Sequence, residues 1–206
     1  MIIEPQGLTG REAYKLMISL VVPRPIAWVT SMGPGGAVNA APFSYFNGVT
    51  SRPPIVAVSV AQGREGPKDT ARNIESRGRF VVNFVDEEHA EDMNRTATEY
   101  PYGVSEPEEV GLELVGGETA DVPGLAASPA RIECSVVRII PVGDPPAAHI
   151  LGRVEAFLLA EGITWDRAKG VDPGDLRLIG RMGQNRYCTT RDLLTIDRIP
   201  YPPDRT

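Results

Sequence analysis

Residues 26–43 read IAWVTSMGPGGAVNAAPF, from Ile26 to Phe43. An apolar run, Ile26–Ser31, meets Gly33-Pro34-Gly35-Gly36, and a second run, Val38–Phe43, follows at once. Glycine and proline at that density interrupt any regular element, so the stretch reads as two strands joined by a turn. Antiparallel pairing is the natural outcome, because two strands joined by a short turn fold back on each other.

Working outward, the same logic extends along the chain. Upstream, Thr9-Gly10-Arg11-Glu12 has capping-box spacing, and Ala13, Leu16, Met17 and Leu20 follow at helical intervals. A helix over 9–21 is expected, ended by Pro23 and Pro25. Downstream, Pro54–Val60 is a continuous apolar strand. A helix begins near Lys68, with Asp69 or Thr70 as its cap and Gly78 as its stop. Phe80–Val85 is a further strand, and His89–Thr98 a helix with Met93 inward. Residues 100–129 are loop-rich, and the strands Ala130–Pro141 and His149–Ala160 flank the turn Gly143-Asp144-Pro145-Pro146. Residues 175–199 mix short elements, and the tail Pro200–Thr206 reads as loose. The order β-β-β-α-β-α-loop-β-β lacks the βαβ alternation of a Rossmann sheet, so the expected class is mainly β, an antiparallel barrel with added helices.

The 206 residues show no repeat or linker that would split them, so one domain over 1–206 is expected, with helix 9–21 and segment 100–129 peripheral. A formal net charge of -6 opposes non-specific binding to nucleic acid or an anionic membrane. No apolar run approaches the ~20 residues of a membrane-spanning helix. Cys134 and Cys188, without a secretory signal, fit free thiols in a reducing cytoplasm.

Several residues carry candidate chemistry. Lys68-Asp69-Thr70 at a helix start offers a lysine, a hydroxyl and free N–H groups to an anion. Thr30 and Ser31 close an apolar strand after Trp28 and point to opposite faces; Trp28 itself reads as core or as a ligand platform. In Ala40–Pro54, small Ala40 and Ala41 allow close approach to backbone, Ser44 and Asn47 bond polar edges, and Phe43, Tyr45 and Phe46 supply walls. A flat ligand with polar edges wants that mixture. The acidic run Glu106, Glu108, Glu109 reads as a solvated face. Cys134, Cys188, His89 and His149 lack metal-ligand spacing, so no metal site is expected.

Four segments, PRPIAWVTS (Pro23–Ser31), NAAPFSYFN (Asn39–Asn47), RPPIVAVSV (Arg52–Val60) and KDTARNI (Lys68–Ile74), occur in an order and spacing that resemble the flavin reductase-like, FMN-binding split-barrel family. DMNRTATEYPYGVSE (Asp92–Glu106) extends the resemblance, which runs in all from about residue 8 to about residue 190. The resemblance implies a six-stranded Greek-key split barrel, a homodimer and FMN near the subunit interface. On this resemblance Trp28, Thr30 and Ser31 would line the isoalloxazine and ribityl chain. Asn39 and the Ala41 backbone would meet the ring edge, with Ser44 and Asn47 beside it. Ser59, Lys68, Thr70 and Asn73 would hold the phosphate end. GRMGQNRYC (Gly180–Cys188) resembles a segment that approaches the flavin from the partner subunit, through Arg181 and Tyr187. Where many relatives carry Gly-Asp-His for nicotinamide docking, this chain has Ala147-Ala148-His149. His149 is therefore either a nicotinamide contact or an ordinary barrel histidine.

The implied activity is hydride transfer from NAD(P)H to FMN N5, with reduced flavin delivered to a partner oxygenase or another electron acceptor. A flavoredoxin-like carrier with fixed FMN and a non-enzymatic FMN store are the alternatives.

Overall fold

The computed structural model describes residues 1–64 and 66–199, so the tail Pro200–Thr206 lies outside the described residues. The expected hairpin forms from β1, Ala27–Met32, and β2, Val38–Phe43, in register from Ala27↔Phe43 to Met32↔Val38. Gly36 turns the chain with φ +85°, a value that a side chain would oppose. Five more strands complete the main sheet: β3 Phe46–Ser51, β4 Pro54–Val60, β5 Arg79–Asn83, β6 Ala130–Val142 and β7 Ala147–Leu159. Their order is β2-β1-β5-β6-β7-β4-β3, and every neighbouring pair is antiparallel.

The class is mainly β, as expected, but the sheet has seven strands where six were implied. The added strand is β3, whose Phe-Asn-Gly-Val-Thr-Ser sequence lacks a clean apolar alternation. Pairing with β4, interrupted by a register shift between Gly48 and Thr50, organises it.

Strands β2 and β3 stand at opposite ends of the sheet order, yet only Ser44 and Tyr45 separate them. Seven strands laid flat would put those edges about 29 Å apart. A link from Phe43 to Phe46 reaches about 11 Å at most. The sheet therefore curls until its edges meet without pairing, which is a split barrel.

Among the described residues five α-helices decorate it: α1 Gly10–Leu20, α2 Asp69–Arg77, α3 Ala90–Arg95, α4 Glu106–Val110 and α5 Pro173–Leu176. The capping box forms on α1, with Glu12 N–H donating to Thr9 Oγ1 at 3.3 Å and Thr9 N–H donating to Glu12 Oε2 at 2.8 Å. On α2 the cap is Lys68, ahead of both Asp69 and Thr70, the expected candidates, and no side chain caps the first turn. Gly78, at φ +72°, ends it. Helix α3 is shorter than the expected 89–98, because the Thr96 hydroxyl donates to the Met93 carbonyl at 2.8 Å where the helix stops.

Strand β1 is buried on both faces and divides the core. Ala27 and Val29 join Phe43, Val58, Ile74, Phe80 and Ile150 on one side. Trp28 joins Ile26, Ala40, Met93 and Leu125 on the other, under the segment that connects β5 to β6. At Gly152 of β7 the ring of Phe80 fills the place of a side chain; a Cβ there would sit 2.4 Å from Phe80 Cζ.

Candidate functional site

A cavity of about 530 Å³ lies where the β2 edge meets α2 and the stretch between α3 and α4. Asn39, Ala41 and Phe43 share one face of β2 and line it. Gly63, Lys68, Asp69, Thr70 and Arg72 close the α2 side, and Thr96–Tyr102 with Glu106 close the third.

The wall is polar and tightly ordered. Thr70 Oγ1 donates to Asn39 Oδ1 at 2.7 Å, and Asn39 Nδ2 donates to Glu106 Oε1 at 2.8 Å. The backbone N–H of Ala40 donates to Glu106 Oε2 at 2.9 Å. That carboxylate thus satisfies a donor on the outer edge of β2. Glu106 is 5% exposed, which corrects the expectation of a solvated acidic run; Glu108 and Glu109 are exposed as expected. Charge patterning hid this, since three carboxylates within four residues look alike until one packs inward. Burial pushes the Glu106 carboxyl up, against the lowering effect of the bonds from Asn39 and Ala40.

Behind the wall, Ser31 Oγ donates to Asn39 Oδ1 at 3.2 Å and accepts from Asn73 Nδ2 at 3.3 Å. Ser31 and Asn73 are therefore not lining residues; they fix Asn39. Asn73 Oδ1 is buried without a partner. Trp28 is fully buried and donates from Nε1 to Thr96 Oγ1 at 2.9 Å, so it holds the wall from behind rather than lining the cavity. Thr30 also faces the core side, donating to the Pro123 carbonyl at 2.7 Å.

The α2 end of the cavity is cationic and rich in donors. The first-turn N–H groups have no side-chain cap, and the positive end of the helix dipole faces the cavity. Arg72 lies 3.9 Å from Asp69, and Arg64 lies 3.6 Å from Glu99, while Lys68 forms no ion pair among the described residues. Partial burial pushes the Asp69 carboxyl up and Arg72 lowers it.

A second cavity, about 210 Å³, shares Pro42, Phe43 and Ala97 with the first. Ser44, Arg181 and Tyr187 line it, together with Arg24. The remaining expected residues lie elsewhere. Asn47 is exposed on β3. Ser59 and His149 are register partners on β4 and β7, with Ser59 Oγ and His149 Nδ1 2.8 Å apart, and neither lines either of these two cavities. Sequence reasoning missed Glu106, Thr96–Tyr102 and Arg24. The first two fall within or next to the Asp92–Glu106 segment that carried the resemblance, and Arg24 lies within Pro23–Ser31.

Comparison with known proteins agrees with the split-barrel fold. Residues 19–169 match the family described as the flavin reductase like domain. Nitrilotriacetate monooxygenase component B from Bacillus cereus is 34% identical, with a TM-score of 0.90 over 95% of this chain and 98% of that one. The 2-nitrobenzoate 2-nitroreductase NbaA of Pseudomonas fluorescens is 33% identical, with a TM-score of 0.84 over 100% of both chains. A split-barrel-domain protein from Shewanella frigidimarina, at 18% identity, shares the fold, with a TM-score of 0.83 over 98% of this chain and 100% of that one. The chain belongs to the flavin reductase-like domain family.

Proposed function

We propose that the chain binds FMN in the larger cavity and works as an NAD(P)H-dependent flavin reductase that supplies reduced flavin to a partner. The observation that carries the reading is the donor set at the start of α2: uncapped N–H groups, Lys68 and Thr70 opening onto one cavity. That set suits a phosphate monoester, since lysine gives charge-assisted bonds and the helix dipole favours an anion.

In this reading Lys68, the first-turn N–H groups of α2 and Thr70 hold the phosphate, the Thr70 Oγ1 proton turning from Asn39 Oδ1 to the ligand, and Arg72 offsets the carboxylate of Asp69 beside it. Asn39 remains held by Glu106 and Ser31, so its amide presents a fixed edge. The Ala41 backbone lies open beside it because the side chain is a methyl group. Phe43 and Tyr102 shield the apolar part of the ligand from water. Bound FMN would supply the hydride-accepting centre, and the chain's task is to orient it and exclude water. Trp28, Ser31 and Asn73 act by fixing the wall, Thr30 bonds the Pro123 carbonyl away from it, and Asn47, Ser59 and His149 have no assigned contact within one chain.

Component B of nitrilotriacetate monooxygenase, by its name, works beside another component, which supports an oxygenase as the partner here. A cytoplasmic homodimer fits the same role, and the exposed β3 edge, with Val49 half exposed, offers a face for it.

An electron carrier with fixed FMN is the second reading. It draws on His149, which is engaged with Ser59 and follows Ala147-Ala148 where a nicotinamide motif would stand. Anaerobic mixing of the FMN-loaded protein with NADH, then with NADPH, separates the two. Rapid bleaching of the flavin absorbance by either nucleotide supports the reductase. A bound flavin that both leave yellow supports the carrier.

A further inference from the structure

Arg24 and Arg181 are direct partners across the short antiparallel pairing of Arg24–Pro25 with Ile179–Arg181. Like charges placed opposite each other destabilise a ladder. Both residues line the second cavity, whose lining contains no aspartate or glutamate. Neither forms an ion pair among the described residues.

Arg24 is 5% exposed, and all its partners are neutral. Nε donates to Ser44 Oγ at 3.2 Å, Nη1 to the carbonyls of Ile18 at 2.9 Å and Val21 at 2.7 Å, and Nη2 to the Met182 carbonyl at 3.1 Å. A guanidinium has five donors, so one N–H on Nη2 is unclaimed. The C-terminal carbonyls of α1 offset part of the cost of burying this charge. They do not account for a second arginine opposite. Arg181 donates from Nη2 to the Gln184 carbonyl at 2.8 Å and from Nη1 to the Tyr187 hydroxyl, and its guanidinium lies 4.5 Å from the centre of the Tyr187 ring.

We propose that the second cavity is a binding subsite for a small aromatic carboxylate. A carboxylate has two oxygens with about four acceptor positions, which matches the spare donors of two guanidinium groups. Tyr14, Phe43 and Tyr187 supply apolar walls for a ring. The volume of about 210 Å³ holds a small acid but not a dinucleotide. The subsite is beside the flavin only on the FMN reading above; its existence does not depend on it.

The test is calorimetric titration of the full chain with benzoate, in apo and FMN-loaded forms, with benzamide as the neutral control. Benzoate should bind both forms, benzamide should bind at least about tenfold more weakly, and Arg181→Gln should weaken benzoate by about tenfold. Equal binding of benzoate and benzamide, or an unchanged benzoate affinity in Arg181→Gln, would overturn the proposal. So would exclusion of benzoate by FMN, which would give the cavity to the flavin. If Arg181→Gln weakens ADP-ribose and not benzoate, the anion belongs to a dinucleotide and the carboxylate assignment falls. FMN binding, followed separately by flavin fluorescence, keeps the two readings apart. An Arg181-dependent benzoate affinity in a protein that ignores FMN would retain the subsite and remove the flavin.

Discussion

The two edges of the sheet, β2 and β3, are separated by two residues in the chain and differ in almost everything else. Strand β2 is mostly buried: α4 covers its outer edge, Glu106 accepts from the Ala40 N–H, and α2 packs beside it. Strand β3 is exposed along nearly its whole length and pairs only with β4. An open edge invites pairing with other chains, so covering one is a constructive act. Here the covered edge borders the cavity, and the bare edge carries no part of it. The chemistry follows the helices that cover an edge, not the strand sequence alone.

The contrast is broken most easily at Glu106. Glu106→Ala leaves Asn39 Nδ2 and the Ala40 N–H buried without acceptors and should cost about 2–5 kcal/mol in denaturant unfolding. The pH dependence has a defined sign. Burial raises the folded pKa of Glu106, so the folded chain holds this proton more tightly than the unfolded chain does. Stability contributed by Glu106 is therefore greatest at low pH and falls as pH rises from the ordinary carboxylate range through the raised value. The stability difference between wild type and Glu106→Gln, followed against pH, should decline across that window and then level off.

A smaller effect is expected from behind the wall. Trp28→Phe removes the Nε1–Thr96 bond and should cost about 1 kcal/mol, read as a lower unfolding midpoint. The smallest belongs to the bare edge. Asn47→Ala should stay within about 0.5 kcal/mol of wild type, and a larger loss would mean that β3 is structurally covered after all.

The sequence carried the hairpin, because Gly33–Gly36 permits little else, and it carried the main-sheet strands other than β3 as elements along the chain, but not their order in the sheet. It also carried Asn39, Ala41, Lys68 and Thr70, which the fold brings to one cavity. Only five residues separate Asn47 from Ala41, but sheet order sends β2 and β3 to opposite edges. Linear proximity says nothing about that until the barrel curls. Glu106 was legible only as a charge. Its burial depends on α4 packing across β2, a contact between residues 66 apart. Trp28 and Ser31 lie on β1, the strand beside β2, but they face inward, where they position the residues that line the cavity.

The central claim is that the covered edge and the start of α2 hold FMN by its phosphate. The measurement that tests it most directly is fluorescence titration of FMN into apoprotein, comparing wild type with the Lys68→Ala, Thr70→Ala double variant and with Asn47→Ala. The double variant should weaken FMN by about 100-fold, from one charge-assisted bond and one neutral bond lost, while Asn47→Ala stays within about twofold. An FMN affinity unchanged in the double variant, with the fold intact by its unfolding midpoint, would contradict the account.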